Sequence, residues 1–164
     1  MIKIELGNPK VLLINEYESM NLEDAIEAIF PLETNNLVLT WNNIPIQLNY
    51  KYDISIMVYD FISIVKFIQF NGTNELEFQW ASNTFASLWK LTKKDRIINI
   101  KTKWYVTNGN IENLLNNVSE NEIKIKKLEN EIKKLLFFLY KSLKKSGVDC
   151  NSIEGFDELV SCFG

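Results

Sequence analysis

Apolar and polar residues alternate most persistently between Glu75 and Val106, where three runs follow one another. In ELEFQWA, Leu76, Phe78 and Trp80 share one side and Glu75, Glu77 and Gln79 the other. TFASLWKLT places Phe85, Trp89 and Leu91 on a common face, and RIINIKTKWYV does the same for Ile98, Ile100, Thr102, Trp104 and Val106. A period of two in consecutive runs, broken by SNT and by KKD, predicts an antiparallel meander with one face in water. Two further hairpins are expected upstream. Ile2 to Leu6 and Val11 to Ile14 flank the turn residues GNPK. Asn36 to Trp41 and Ile44 to Tyr50 flank Asn42 and Asn43, with Pro45 placing the second of these strands at an edge.

Elsewhere the period changes. Asn21 caps a helix whose apolar stripe is Leu22, Ile26, Ile29 and Phe30, and Pro31 stops it. From Ile54 the apolar residues Met57, Val58, Phe61, Ile62, Val65 and Ile68 recur at three and four, a helix of about four turns suited to lie on the sheet. Ser119 with Glu122 makes a capping-box pattern and Gly147 a stop, which predicts one helix of roughly 40 Å between them. Ile125, Leu128, Ile132, Leu135 and Leu139 form a heptad-like seam along it, and a short helix from Ser152 to Cys162 ends the chain. The expectation is a single α+β domain over residues 1–164. It has a largely antiparallel sheet with a central helix packed on one face, in a body of residues 1–110, and a long C-terminal helix within a helical part, 111–164.

With 164 residues, 46% of them hydrophobic, the chain is long enough to bury one core. Its net charge of −3 lacks the concentrated excess of Lys and Arg that nucleic acid or an anionic membrane would require, so neither is expected as a partner. The charge is unevenly divided: residues 1–92 carry net −6 and residues 93–164 net +3. The most apolar run, Ile54 to Phe70, is interrupted by Asp60 and Lys66 and reads as a buried helix; with no secretory signal in MIKIELGNPK, a cytoplasmic location is expected. Cys150 and Cys162 then read as two idle thiols, with a disulfide as the alternative.

No histidine occurs, which removes the commonest general base, the triads built on it and most zinc sites. No glycine-rich phosphate loop follows a strand. No catalytic residue, metal ligand or cofactor is therefore assigned, and the protein is not expected to be an enzyme. Carboxylate or Mg²⁺ chemistry on Asp53 and Asp60, or on Glu75 and Glu77, is what remains. Asp53 reads more simply as a helix cap, Asp60 as a wet helix face, and Glu75 with Glu77 as the wet face of a strand.

Binding leaves more to choose from. Glu16, Tyr17, Glu18, Glu23, Asp24 and Glu27 place five carboxylates within twelve residues, either the polar flank of an amphipathic helix or an electrostatic docking surface for a basic partner. Trp41, Tyr50, Tyr52 and Tyr105 stand on strands or at their ends, where aromatic side chains serve as binding anchors, although most of the chain's aromatics are expected to be core. Ile125, Leu128, Ile132 and Leu135 are able either to pair with a second subunit in a homodimer or to pack on the chain's own sheet.

In size, acidity, lack of catalytic residues and tryptophan-containing strands such as LVLTWNNIPIQLNYKYD and ELEFQW, the chain resembles the small immunity proteins that bacteria encode beside polymorphic or contact-dependent growth-inhibition toxins. The resemblance is one of general character over the whole chain. It implies a non-enzymatic inhibitor that binds and neutralises a cognate toxin domain, such as a nuclease, and it carries over no particular residue; the N-terminal acidic cluster is then the first surface to test. The alternative is a structural or regulatory module that oligomerises through the long C-terminal helix.

Overall fold

The computed structural model describes residues 1–15 and 20–164. Along them run β1 (Ile2–Glu5), β2 (Met20–Asn21), α1 (Leu22–Ile29), β3 (Leu37–Trp41), β4 (Ile44–Leu48), α2 (Ser55–Gln69), β5 (Glu75–Ala81), β6 (Ala86–Lys94) and β7 (Ile97–Val106). They are followed by α3 (Glu112–Asn116), β8 (Glu120–Lys124), α4 (Ile125–Lys145), β9 (Ile153–Glu154) and α5 (Phe156–Ser161). A π-helical turn, Tyr50–Ile54, leads into α2. The fold is α+β, with two antiparallel sheets ordered β1-β3-β4 and β5-β6-β7-β8 and a small parallel pair of β2 with β9.

The three alternating runs form the expected meander, in which Phe78 faces Trp89 and Trp89 faces Thr102. Trp80, Trp89, Leu91, Ile98, Ile100 and Trp104 are buried on its inner side. Glu75, Glu77, Lys90, Lys101 and Lys103 stand in water on the outer one. There Lys90 meets Glu75 at 3.3 Å and Lys101 meets Glu120 at 3.0 Å, exposed pairs worth no more than about 1 kcal/mol each.

A fourth strand, β8, completes this sheet where a helix was expected. Glu120–Lys124 also alternates, burying Asn121 and Ile123 while Glu120, Glu122 and Lys124 face water. The Ser119 carbonyl accepts the Thr102 N–H at 2.8 Å and the Thr102 hydroxyl at 3.0 Å, so Ser119 extends a ladder and caps nothing. Pairing with β7 outweighs the capping-box pattern, because a helix begun at Ser119 would leave that strand without its neighbour. Helix α4 starts only at Ile125 and its 21 residues span about 31 Å. The segment 111–164 is thus partly strand.

The first expected hairpin does not form. Residues 11–14 make no strand; Leu12 N–H donates to the Ile29 carbonyl and Ile14 N–H to the Ser146 carbonyl, each at 2.8 Å. β1 pairs instead with β3, whose five alternating residues LVLTW offer a longer matching apolar face than VLLI. The second hairpin is as read, with Asn42 and Asn43 both at positive φ (46° and 69°) in a two-residue turn. The Asn42 amide donates to the carbonyls of Val118 at 3.0 Å and Glu120 at 2.9 Å, which ties this turn to the end of the larger sheet.

Trp41 packs edge-on against Trp89 and Trp104, with ring centroids 5.1 and 5.6 Å apart, so the inner faces of the two sheets meet in an aromatic cluster. Both α2 and α4 close the remaining sides: Met57, Val58, Phe61, Ile62 and Val65 are buried from the first, and Leu128, Ile132, Leu135, Leu136, Leu139 and Leu143 from the second. The heptad-like seam is therefore spent on the chain's own core, and of its proposed self-association residues only Ile125 is half exposed. An internal void of about 10 Å³, lined by apolar side chains including Ile4, Phe61 and Leu128, is too small and too dry for a ligand.

At the C-terminus the expected helix is shortened to α5 by a 3-10 turn at Cys150–Ser152 and by β9. Gly155 separates β9 from α5 with φ +87°, and a Cβ there would meet the Tyr59 hydroxyl at 2.9 Å. Cys150 and Cys162 are free thiols, half-buried and buried.

Asp60 is not on a wet face. It is half-buried beside the Trp80 indole N–H, outside ordinary hydrogen-bond geometry, and burial holds its carboxyl above the usual range, only partly offset by that indole. The folded state therefore binds this proton more tightly than the unfolded chain, and stability is lost as pH rises through the folded pKa. Asp60→Asn should raise the unfolding free energy obtained from urea titration at pH 7 by about 0.5 kcal/mol, discounted for partial exposure. The gain should vanish below the ordinary carboxylate range, where Asp60 is itself neutral; an equal gain at both pH values would contradict this account.

Candidate functional site: an acidic surface bearing tyrosines

Helix α1 is placed by its own sequence. The Asn21 side chain accepts the Asp24 N–H at 2.8 Å, and Leu22, Ala25, Ile26 and Ile29 turn into the core. Glu23, Asp24 and Glu27 are left on the outer side, with Glu23 and Glu27 one turn apart on a common flank. Their arrangement follows from which positions the core takes.

Next to this flank lies the π-helical turn. The Asn49 side chain caps it, accepting the N–H groups of Lys51 at 2.8 Å and Tyr52 at 3.2 Å. Lys51 reaches back to α1, donating to the Glu27 carbonyl at 3.0 Å and standing 4.0 Å from its carboxylate. The same ammonium lies 5.5 Å from the Tyr52 ring centre. Tyr52 is left 44% exposed and Ile56, one turn on, 38% exposed. Tyr59 follows, its hydroxyl accepting the Leu22 N–H at 3.2 Å and donating to the Glu154 carbonyl at 3.4 Å. The surface so formed joins three carboxylates to two exposed apolar anchors, and its lysine is already engaged. Widened π turns recur at functional sites.

Electrostatically the surface is loaded. Burial holds the Glu23 carboxyl above its ordinary range, and repulsion from Asp24 and then from Glu27 adds to the shift. A cation brought to this flank would relieve that repulsion.

Behind the surface sits Asp53, only 2% exposed. It does not cap the helix, since Asn49 fills that role. One carboxylate oxygen accepts the Asn49 N–H at 2.7 Å; the other accepts the hydroxyls of Ser82 and, at 2.6 Å, Thr84. Asp53 thereby pins the connection between β5 and β6 to the turn that presents Lys51 and Tyr52.

Of the acidic cluster read from the sequence, Glu23, Asp24 and Glu27 come together here, while Glu16, Tyr17 and Glu18 lie outside the described residues. Trp41 and Tyr50 are core residues, the Tyr50 hydroxyl donating to the Leu6 carbonyl at 2.6 Å, and Tyr105 is exposed on the outer face of the larger sheet. Among the described residues no group of three or more His, Cys, Asp or Glu is arranged to hold a metal ion. Lys51, Ile56 and Tyr59 were not singled out by sequence reasoning; the spacing of Tyr52, Ile56 and Tyr59 at four and three was the available signal. Among the described residues no helix is long and apolar enough to cross a membrane. Comparison with models of known protein families, with curated proteins and with solved structures finds no match for this chain.

Proposed function

We propose that the chain is a non-enzymatic immunity protein of bacterial type, which binds a basic cognate toxin domain, such as a nuclease, and neutralises it by covering the surface that its substrate needs. The observation that carries this reading is the α1 and π-turn surface. Exposed Tyr52 and Ile56 supply apolar anchors of the kind that dominate protein interfaces, and Glu23, Asp24 and Glu27 supply the charge that steers a basic partner to them. Assembly through α4 is less well supported, because Leu128, Ile132 and Leu135 are buried in the chain's own core.

Sequencing the genes that flank this one and co-expressing the chain with the C-terminal domain of any toxin found there tests the reading. Cells carrying the wild-type chain should grow, and cells carrying Tyr52→Ala with Ile56→Ala should lose about tenfold or more in plating efficiency, as expected when interface anchors are truncated. Failure of the wild-type chain to protect would remove the proposal.

A further inference from the structure

Among the described residues the two antiparallel sheets end in four backbone edges, and three carry a device that hinders a further strand. In an antiparallel ladder alternate residues turn their N–H and C=O toward the neighbouring strand and the others turn outward. On β1 the Met1 carbonyl bonds the Asn42 N–H, so Ile4 faces outward, and its N–H donates to the Glu131 carboxylate of α4 at 2.7 Å. On β4 the two-residue turn leaves Pro45 outward, with no N–H to offer. On β8 the outward Glu120 carbonyl is taken by the Asn42 amide. Guards of this kind suppress unwanted edge pairing.

Among the described residues β5 has no such guard. Lys93 N–H donates to the Asn74 carbonyl at 2.7 Å and Ser82 N–H to the Phe85 carbonyl at 2.9 Å, which makes the even-numbered residues the ones bonded toward β6. The backbone groups of Glu75, Glu77, Gln79 and Ala81 therefore point outward. All four residues are exposed, and those groups find no partner among the described residues.

We propose that this edge pairs with the same edge of a second copy of the chain, antiparallel and centred on Phe78. Charge selects the register. Centred on Glu77, the two copies would set Glu77 against Glu77. Centred on Gln79, they would run Glu75 past the end of the strand. Centred on Phe78, Glu77 faces Gln79 of the second copy and Glu75 faces its Ala81, so all seven residues of each strand overlap with no like charges opposed. On the inner side Phe78 meets Phe78 and Leu76 meets Trp80, and both Leu76 and Phe78 are only half-buried in one chain. The result is an eight-stranded sheet across a two-fold axis, an isologous contact. An edge this short falls below the roughly 1,200 Å² of a stable interface, which places the dimer in the weak, micromolar class.

Sedimentation equilibrium from about 10 to about 500 µM is the test. The wild-type chain should pass from monomer to dimer in that range. Gln79→Lys, which sets an ammonium against Glu77 twice across the axis, should tighten the dimer about fivefold, and Gln79→Glu should weaken it about as much. Gln79→Pro removes an outward N–H without touching the ladder to β6, and should leave a monomer with unchanged circular dichroism. Wild type and Gln79→Lys both monomeric throughout would overturn the proposal, as would a dimer undiminished in Gln79→Glu. That charge pair decides the matter by itself if the proline variant does not fold.

Discussion

Asp53→Ala should lower the stability of the fold by about 3 kcal/mol, a fall in Tm of roughly 6–12 °C for a chain of this size. The carboxylate is buried and accepts from the Asn49 N–H and from the hydroxyls of Ser82 and Thr84. Truncation leaves three donors without their acceptor, those of half-buried Asn49 and Ser82 and of exposed Thr84, and the unmade hydrogen bonds of the two half-buried groups cost more than made ones contribute. Asp53→Asn should fall between, since its carbonyl oxygen still serves the two hydroxyls while its amide opposes the Asn49 N–H. Urea unfolding of the three proteins checks this order. A loss below about 0.5 kcal/mol in the alanine variant would mean that the hairpin end is held by other contacts.

What the sequence disclosed is uneven for physical reasons. The meander was legible because alternation over Glu75 to Val106 is long, and α2 because seven apolar residues hold helical spacing. β8 was hidden because ENEIK is short and its surroundings, a capping-box pattern followed by a heptad, favour a helix; only the tertiary need of β7 for a neighbour decides it. The strand expected at Val11 to Ile14 failed for the converse reason, since β1 takes a distant partner, β3, over the nearby one. Within the candidate surface, Glu23, Asp24 and Glu27 could be read from charge density alone. Lys51 could not, and the spacing of Tyr52, Ile56 and Tyr59 marked only a shared helical face; the roles of all four depend on a π turn that brings α2 beside α1 and on which side of each helix the core takes.

Neutralising the acidic flank should have the second large effect. With Glu23→Gln, Asp24→Asn and Glu27→Gln combined, association with a basic toxin domain at low salt should slow by about 10- to 100-fold, while dissociation changes less, because such charges act mainly through steering. The helix cap Asn21 and the apolar stripe of α1 are untouched, so the fold is retained. A pH dependence follows from the same residues. Burial and then Asp24 and Glu27 raise the Glu23 carboxyl in the free protein, and an apposed cation would lower it, so the complex binds fewer protons than the free chain. Affinity should rise with pH through the carboxylate range and level off above it, and Glu23→Gln should flatten that rise.

The most direct measurement is the association rate of wild type and of this triple variant with the toxin domain, followed by stopped-flow across ionic strength. At about 0.15 M salt exposed charges are screened beyond roughly 8 Å, so the wild-type rate should fall steeply with added salt and converge on that of the variant. Equal rates and equal salt slopes for the two proteins, with the complex still forming, would contradict the assignment of the α1 and π-turn surface as the docking face.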